Sequence, residues 1–119
     1  MALVGVDHYQ LAIPEGGESD ARAFFVDLLG MREVPKPRNL SPSGCWFESY
    51  SVRLHIGVDP DFAPARKAHP AFLVDDLGTL RKRLETAGVE TRDDVAIEGY
   101  ARFFTHDPFG NRLEFMQKT

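Results

Sequence analysis

The chain repeats itself, and that repetition limits the folds open to it more than any other feature does. The first half opens with an extended segment, Leu3 to Ile13, in which apolar and polar residues roughly alternate, and a turn with Pro14, Gly16 and Gly17 closes it. Ser19 or Asp20 can cap a helix whose apolar residues Ala21, Phe24, Phe25 and Leu28 fall at helical spacing, and Gly30 stops it in the left-handed position. A Pro- and Ser-rich loop, Pro35 to Gly44, leads into two short strands, Cys45–Tyr50 and Val52–Val58. The second half follows the same order. His69–Val74 is extended, and Asp75 or Asp76 can cap a helix lined by Leu77, Leu80, Leu84 and Ala87. Gly88 ends that helix, and two strands follow, Tyr100–His106 and Arg112–Met116, joined by Asp107-Pro108-Phe109-Gly110-Asn111. Module 1 therefore covers about residues 1–58 and module 2 about 69–119, with the proline-bearing segment 59–68 as linker.

The titratable residues fall at equivalent places in the two halves. His8 opens the first and His69 the second. The last strand of the first carries Arg53-Leu54-His55-Ile56, and that of the second Arg112-Leu113-Glu114-Phe115. His55 follows His8 by 47 residues and Glu114 follows His69 by 45. Side chains alternate across a strand, so His55 shares a face with Arg53 and Gly57, and Glu114 with Arg112 and Met116. Leu54, Ile56, Leu113 and Phe115 then face the helices, while His8 and Gln10 lie opposite Leu11 and Ile13. Taken singly, each histidine reads as a hydrogen-bonded structural residue; the symmetry of the four positions is what marks them as a ligand set. Three imidazoles and a carboxylate suit one Zn, Ni, Fe or Mn ion per site, whereas Mg and Ca prefer all-oxygen sites. His106 falls outside the symmetry and reads as a turn residue.

Composition narrows the function further. With 119 residues, the chain is one compact domain or two half-domains that cannot stand alone. A net charge of −4 argues against nucleic-acid binding, which needs a positive surface to release phosphate counterions. No apolar run approaches the roughly 20 residues that span a bilayer, and no signal peptide is expected. Cys45 is the only cysteine, which excludes an intrachain disulfide and fits a reduced, cytoplasmic setting.

Four segments carry a resemblance to the vicinal oxygen chelate superfamily, which includes glyoxalase I, fosfomycin-resistance thiol transferases, extradiol dioxygenases and bleomycin-resistance proteins. They are Asp7-His8-Tyr9-Gln10-Leu11-Ala12, Arg53-Leu54-His55-Ile56-Gly57, Ala68-His69-Pro70-Ala71-Phe72, and the run from Asp107 to Phe115 with its DP-x-GN turn. The resemblance implies an α+β fold of two tandem βαβββ modules whose curled mixed sheets form a metal-binding cup. His8, His69 and Glu114 match positions that serve as ligands in many members. His55 matches a fourth position, which glyoxalases fill with a carboxylate and several thiol transferases leave without a ligand. Ala12 stands where some bacterial glyoxalases carry an arginine for glutathione, so glutathione is not the expected substrate.

The expected activity is that of a metal-dependent glyoxalase-like lyase or isomerase acting on a small molecule with neighbouring oxygens. Glu114 is the expected general base, because a carboxylate that loosens its grip on an ion can take a proton. Arg102, set among Tyr100, Phe103 and Phe104, is the arginine expected to meet substrate, with Gln10 and Trp46 beside it on the pocket wall; Phe47 and Tyr50 are further aromatic candidates there. The loop Pro35–Gly44 is long enough for a lid or for a plain connection. An Fe(II) ring-cleaving dioxygenase using His8, His69 and Glu114, and a non-enzymatic antibiotic binder, are the alternatives. A module of about 55 residues is too short to bury a full core alone, and the linker favours placing a chain's modules side by side. The working unit is therefore expected to be a homodimer, in which His8 and His55 of one chain face His69 and Glu114 of the other.

Overall fold

Two short helical segments and seven strands build the chain, described over residues 1–119 by a computed structural model. They form two units, Met1–Ala63 and Pro64–Thr119. The fold is α+β with two mixed sheets. No helix is long and apolar enough to cross a membrane.

In the first unit, strands β1 (Tyr9–Ile13), β2 (Arg32–Val34), β3 (Cys45–Ser49) and β4 (Val52–Val58) form a sheet in the order β1-β4-β3-β2. β1 runs parallel to β4, with Gln10 opposite His55, and the other pairs are antiparallel. Helix α1 (Glu18–Arg22) runs on as a π-helix over Ala23–Leu28 and ends at Gly30, whose φ of +79° makes glycine the low-strain choice. The helical stretch buries Ala21, Phe24 and Phe25, and the sheet buries Leu11, Ile13, Phe47, Leu54 and Ile56. Phe25 and Phe47 stack at 5.8 Å, joining helix to sheet. Each such side chain contributes about 1.5–3 kcal/mol on burial.

The structure refines the sequence expectation at several places. Sheet pairing begins only at Tyr9; residues 1–8 carry no strand, and Leu3 and Val4 are each 98 % exposed. Apolar alternation was present there, but β4 begins pairing with β1 at Leu54, opposite Tyr9. Arg32–Val34, to which the sequence pattern assigns no strand, supplies at the sheet edge the third strand after the helix that a βαβββ unit calls for, held to β3. Tyr50 is the turn residue between β3 and β4, fully exposed and at φ 51°, so it lines no pocket. Phe47 belongs to the core, since alternation from Trp46 turns it inward.

In the second unit, β5 (Ala71–Leu73), β6 (Tyr100–His106) and β7 (Arg112–Lys118) lie in the order β5-β7-β6, with β5 parallel to β7. A single bridge, Arg92 to Phe104, stands where a further strand of a βαβββ unit would lie. Helix α2 (Leu77–Thr86) is capped by Asp76, whose carboxylate accepts from Thr79 N (3.0 Å) and Thr79 Oγ1 (2.8 Å). Leu77, Leu84, Phe72, Phe103, Leu113 and Phe115 are buried. The turn from Asp107 to Asn111 is a structural knot. Asp107 is buried and accepts from Phe109 N, Asn111 N and Asn111 Nδ2, while Asn111 Oδ1 accepts from Ala65 N at 2.9 Å. That last bond ties Ala65 into the second unit. The Asp107 carboxyl is nonetheless raised above its usual value, because burial outweighs these donors.

Candidate metal half-sites

The two modules place their candidate donors by the same register. In the first, His8 precedes Gln10 by two residues, and Gln10 lies opposite His55. In the second, His69 precedes Ala71 by two, and Ala71 lies opposite Glu114. Residues two apart share a face, so each histidine sits diagonally from the second donor of its module. The flanking strand adds an aromatic ring in both cases: Trp46 is opposite His55 and Phe104 is opposite Glu114.

In module 2 the pair is in direct contact. His69 Nε2 lies 3.0 Å from Glu114 Oε1. His69 Nδ1 lies 3.0 Å from the Lys67 carbonyl, which can only accept, so this nitrogen carries the hydrogen. Arg102 Nη1 donates to Glu114 Oε2 at 3.0 Å, and Arg102 Nη2 donates to the Val95 carbonyl. Glu114 is only 6 % exposed. Phe104 closes the pair: its ring meets His69 edge-on at 5.1 Å, and the Arg112 guanidinium lies over it at 4.0 Å.

In module 1 the rings stack. His8 and His55 lie 3.9 Å apart with planes 20° apart, and Trp46 covers the other face of His55 at 3.8 Å and 1°. His8 Nδ1 donates to Asp7 Oδ2 at 2.9 Å, and Arg53 Nη1 donates to Asp7 Oδ1 at 3.2 Å. His8 holds the Asp7 carboxyl below its usual value. Burial, and then the neighbouring His8, hold His55 below the ordinary histidine value.

The stack forms one wall of a cavity of about 570 Å³ lined also by Gln10, Lys36 and Arg53. Gln10 folds across Gly57; a Cβ there would lie 2.4 Å from Gln10 Nε2. The Pro35–Gly44 loop is tied down at the cavity edge: Lys36 Nζ donates to the carbonyls of Ser41 (2.9 Å) and Ser43, and Gly44 N donates to Glu18 at 3.0 Å. Thus Gln10 and Trp46 share a cavity with His8 and His55, while Arg102 sits against Glu114. Asp7, Lys67 and Lys36 escaped the sequence reading; the adjacency of Asp7 to His8 was the available signal for the first.

Neither module alone gathers three His, Cys, Asp or Glu side chains around one point. Each holds a pair. The donor types fit a divalent transition metal: His8 and His69 each have Nδ1 held by an oxygen acceptor, the arrangement that orients metal-binding histidines, and Glu114 is fixed through Oε2 with Oε1 turned to His69.

A sequence model of the glyoxalase/bleomycin resistance protein/dioxygenase superfamily matches residues 5–115. The chain belongs to this superfamily. A glyoxalase family protein from Bacillus anthracis is 44 % identical over 100 % of this chain and 98 % of its own, with a TM-score of 0.94. The fosfomycin resistance protein FosX from Listeria monocytogenes, in its complex with Mn(II) and sulfate, shares the fold at 16 % identity and a TM-score of 0.78, covering 99 % of this chain and 93 % of its own. A glyoxalase family protein from Enterococcus faecalis is 24 % identical, with a TM-score of 0.69 over 94 % of this chain and 96 % of its own. No functionally curated protein matches the sequence.

Proposed function

We propose that the protein is a metal-dependent enzyme of glyoxalase type, a lyase or isomerase acting on a small substrate with neighbouring oxygens. The observation that carries this reading is the recurrence of one donor geometry in both modules, with His8 and His69 each oriented through Nδ1. The donors are drawn from His8, His55, His69 and Glu114, and Zn, Ni, Fe or Mn suits them. A relative, FosX, has been obtained with Mn(II). Each module supplies half of a site, so we further propose a homodimer in which His8 and His55 of one chain work with His69 and Glu114 of the other.

A bound divalent ion supplies Lewis acidity toward substrate oxygen. The chain's own residues do the rest. Arg102 holds Oε2 of Glu114, and Oε1, set 3.0 Å from His69 Nε2, is the oxygen assigned to accept a substrate proton. The module 1 cavity, about 570 Å³, falls within the range of small-molecule sites, and Trp46 and Gln10 form a flat wall with an amide for a polar, compact substrate.

One observation favours a second reading. If the stack keeps His55 away from the ion, His8, His69 and Glu114 form the two-histidine, one-carboxylate set of Fe(II) ring-cleaving dioxygenases. Oxygen uptake by Fe(II)-loaded protein with catechols separates this from turnover of hemithioacetals or fosfomycin by Zn-, Ni- or Mn-loaded protein.

The primary test is elemental analysis and dialysis against each metal, with about one ion per chain expected. Binding should weaken as pH falls through the ordinary histidine value near ~6.5, because a protonated imidazole cannot ligate. Absence of retained metal at neutral pH removes the proposal. For the shared site, a His8→Ala/His55→Ala variant is refolded with a His69→Ala/Glu114→Ala variant. Mixed dimers should recover one site per two chains, and mixed dimers without metal sink the shared-site arrangement.

A further inference from the structure

The three histidines of the candidate set are not equivalent. His8 and His69 each present the same signature: Nδ1 within 2.9 Å and 3.0 Å of an oxygen acceptor, which fixes the hydrogen on that nitrogen and leaves Nε2 as the donor to an ion. His55 has no hydrogen bond to the protein at either nitrogen. Aromatic faces hold it, Trp46 at 3.8 Å and His8 at 3.9 Å.

Stacking and shared ligation exclude each other. An imidazole nitrogen binds a metal in the plane of its ring, at about 2.0–2.1 Å. The His8 and His55 ring centroids lie 3.9 Å apart with planes only 20° apart, so their in-plane lone pairs run in neighbouring, nearly parallel planes and do not converge on one point. One ring must leave the stack to ligate. His8 is the ring already aimed by Asp7, and Arg53 holds Asp7 in turn at 3.2 Å. His55 is directly opposite Trp46 in the β3–β4 register, and the two rings lie parallel, 1° apart in plane, with centroids 3.8 Å apart.

The geometry points to His55 as a positioning residue: a ring inserted between Trp46 and His8 that fixes the plane of His8, with His8, His69 and Glu114 left as the donors. This rests on the metal reading above. It assigns to His55 a requirement for a flat ring and none for a nitrogen.

The test is a Co(II) titration of EDTA-treated, full-length protein, followed by calorimetry and by the visible spectrum of the bound ion. Wild type should bind Co(II). His55→Phe, which keeps the ring and removes both nitrogens, should hold Co(II) within about threefold of wild type with an unchanged spectrum. His55→Tyr serves the same purpose should the Phe variant fold poorly. His55→Ala, which removes the ring, should weaken binding about tenfold, the lower end of the loss seen when an outer partner of a ligand is removed. His8→Phe should weaken it at least a hundredfold. A hundredfold loss in folded His55→Phe or His55→Tyr, with a shifted spectrum, overturns the inference while leaving the metal reading intact. Wild type that binds no Co(II) overturns both.

Discussion

Replacing Arg102 by methionine should destabilise the metal-free protein by about 3 kcal/mol, and the reason is local to module 2. The Arg102–Glu114 pair spans 3.0 Å with side chains only 12 % and 8 % exposed. Removing one partner of a buried pair typically costs about 3–5 kcal/mol, because the remaining charge is left in a poor solvent. Two features place this case at the low end. His69 Nε2 stays 3.0 Å from the other carboxylate oxygen, and methionine refills the volume of the arginine stem beside Phe104. In thermal terms, about 3 kcal/mol corresponds to a Tm lowered by roughly 10 °C for a chain of this size.

Urea unfolding of EDTA-treated protein measures the cost, and a double-mutant cycle assigns it. Glu114→Leu alone strands Arg102, whose Nε is already buried without a partner. The double variant, Arg102→Met with Glu114→Leu, removes both charges and should cost less than the two single changes added together, with a coupling of about 1–3 kcal/mol. A coupling below about 0.5 kcal/mol, the additivity of independent sites, would refute the claim that Arg102 holds Glu114. The Arg102→Met variant should also bind Co(II) about 10–100-fold more weakly, since it loses the partner that orients a ligand.

Three further outcomes follow from the backbone and the core. Gly30→Ala meets open space and bears only its φ of +79°, about 1–2 kcal/mol, whereas Gly44→Ala adds a Cβ 2.3 Å from the Ile56 carbonyl; chemical denaturation should show Gly44→Ala as clearly the more damaging. Tyr50→Asn should stabilise the chain by about 0.5–1 kcal/mol, because φ 51° suits asparagine and the exposed ring packs on nothing; a lower Tm would refute this. Burial pushes the Cys45 thiol up to about 11, so at pH 8 it stays a protonated, inert thiol; a thiol reagent should label it only on unfolding, and reactivity should rise as pH approaches that value. Rapid labelling of native protein at pH 8 counts against that burial.

Much of the fold was legible because one-residue rules decided it. Alternation placed Leu54, Ile56, Leu113 and Phe115 inside, all of them buried. Gly30 and Gly88 marked helix ends, and both have positive φ. The extent of β1 was not legible, since alternation in Leu3–Asp7 says nothing about where a partner strand begins. The stack on His55 was within reach. Hairpin strands joined through Tyr50 and Ser51 put Trp46 opposite His55, and that register follows from the turn. The burial of Glu114 was harder, because its arginine is a diagonal neighbour: Arg102 is opposite Met116, and Phe104 is opposite Glu114.

The repeat predicts positions better than it predicts roles, and the side chains opposite each donor explain the difference. Both modules set a histidine diagonally from a second donor and an aromatic residue across the next strand. In module 2 the residue beside the donor is Ala71, small enough to leave room around the carboxylate, and a carboxylate is acceptor-only. It therefore draws the Arg102 Nη1 donor onto Oε2, sets Oε1 3.0 Å from His69 Nε2, and becomes a buried, fixed anion. In module 1 the same place holds an imidazole, which presents a face as well as an edge. With Trp46 on one side and His8 on the other, the faces dominate, and Gln10 is turned aside over Gly57. Equivalent backbone places thus hold an anion in one module and a stacked ring in the other. The symmetry of the fold carries through to His8 and His69, whose Nδ1 atoms meet oxygen acceptors in both modules, and it breaks between His55 and Glu114.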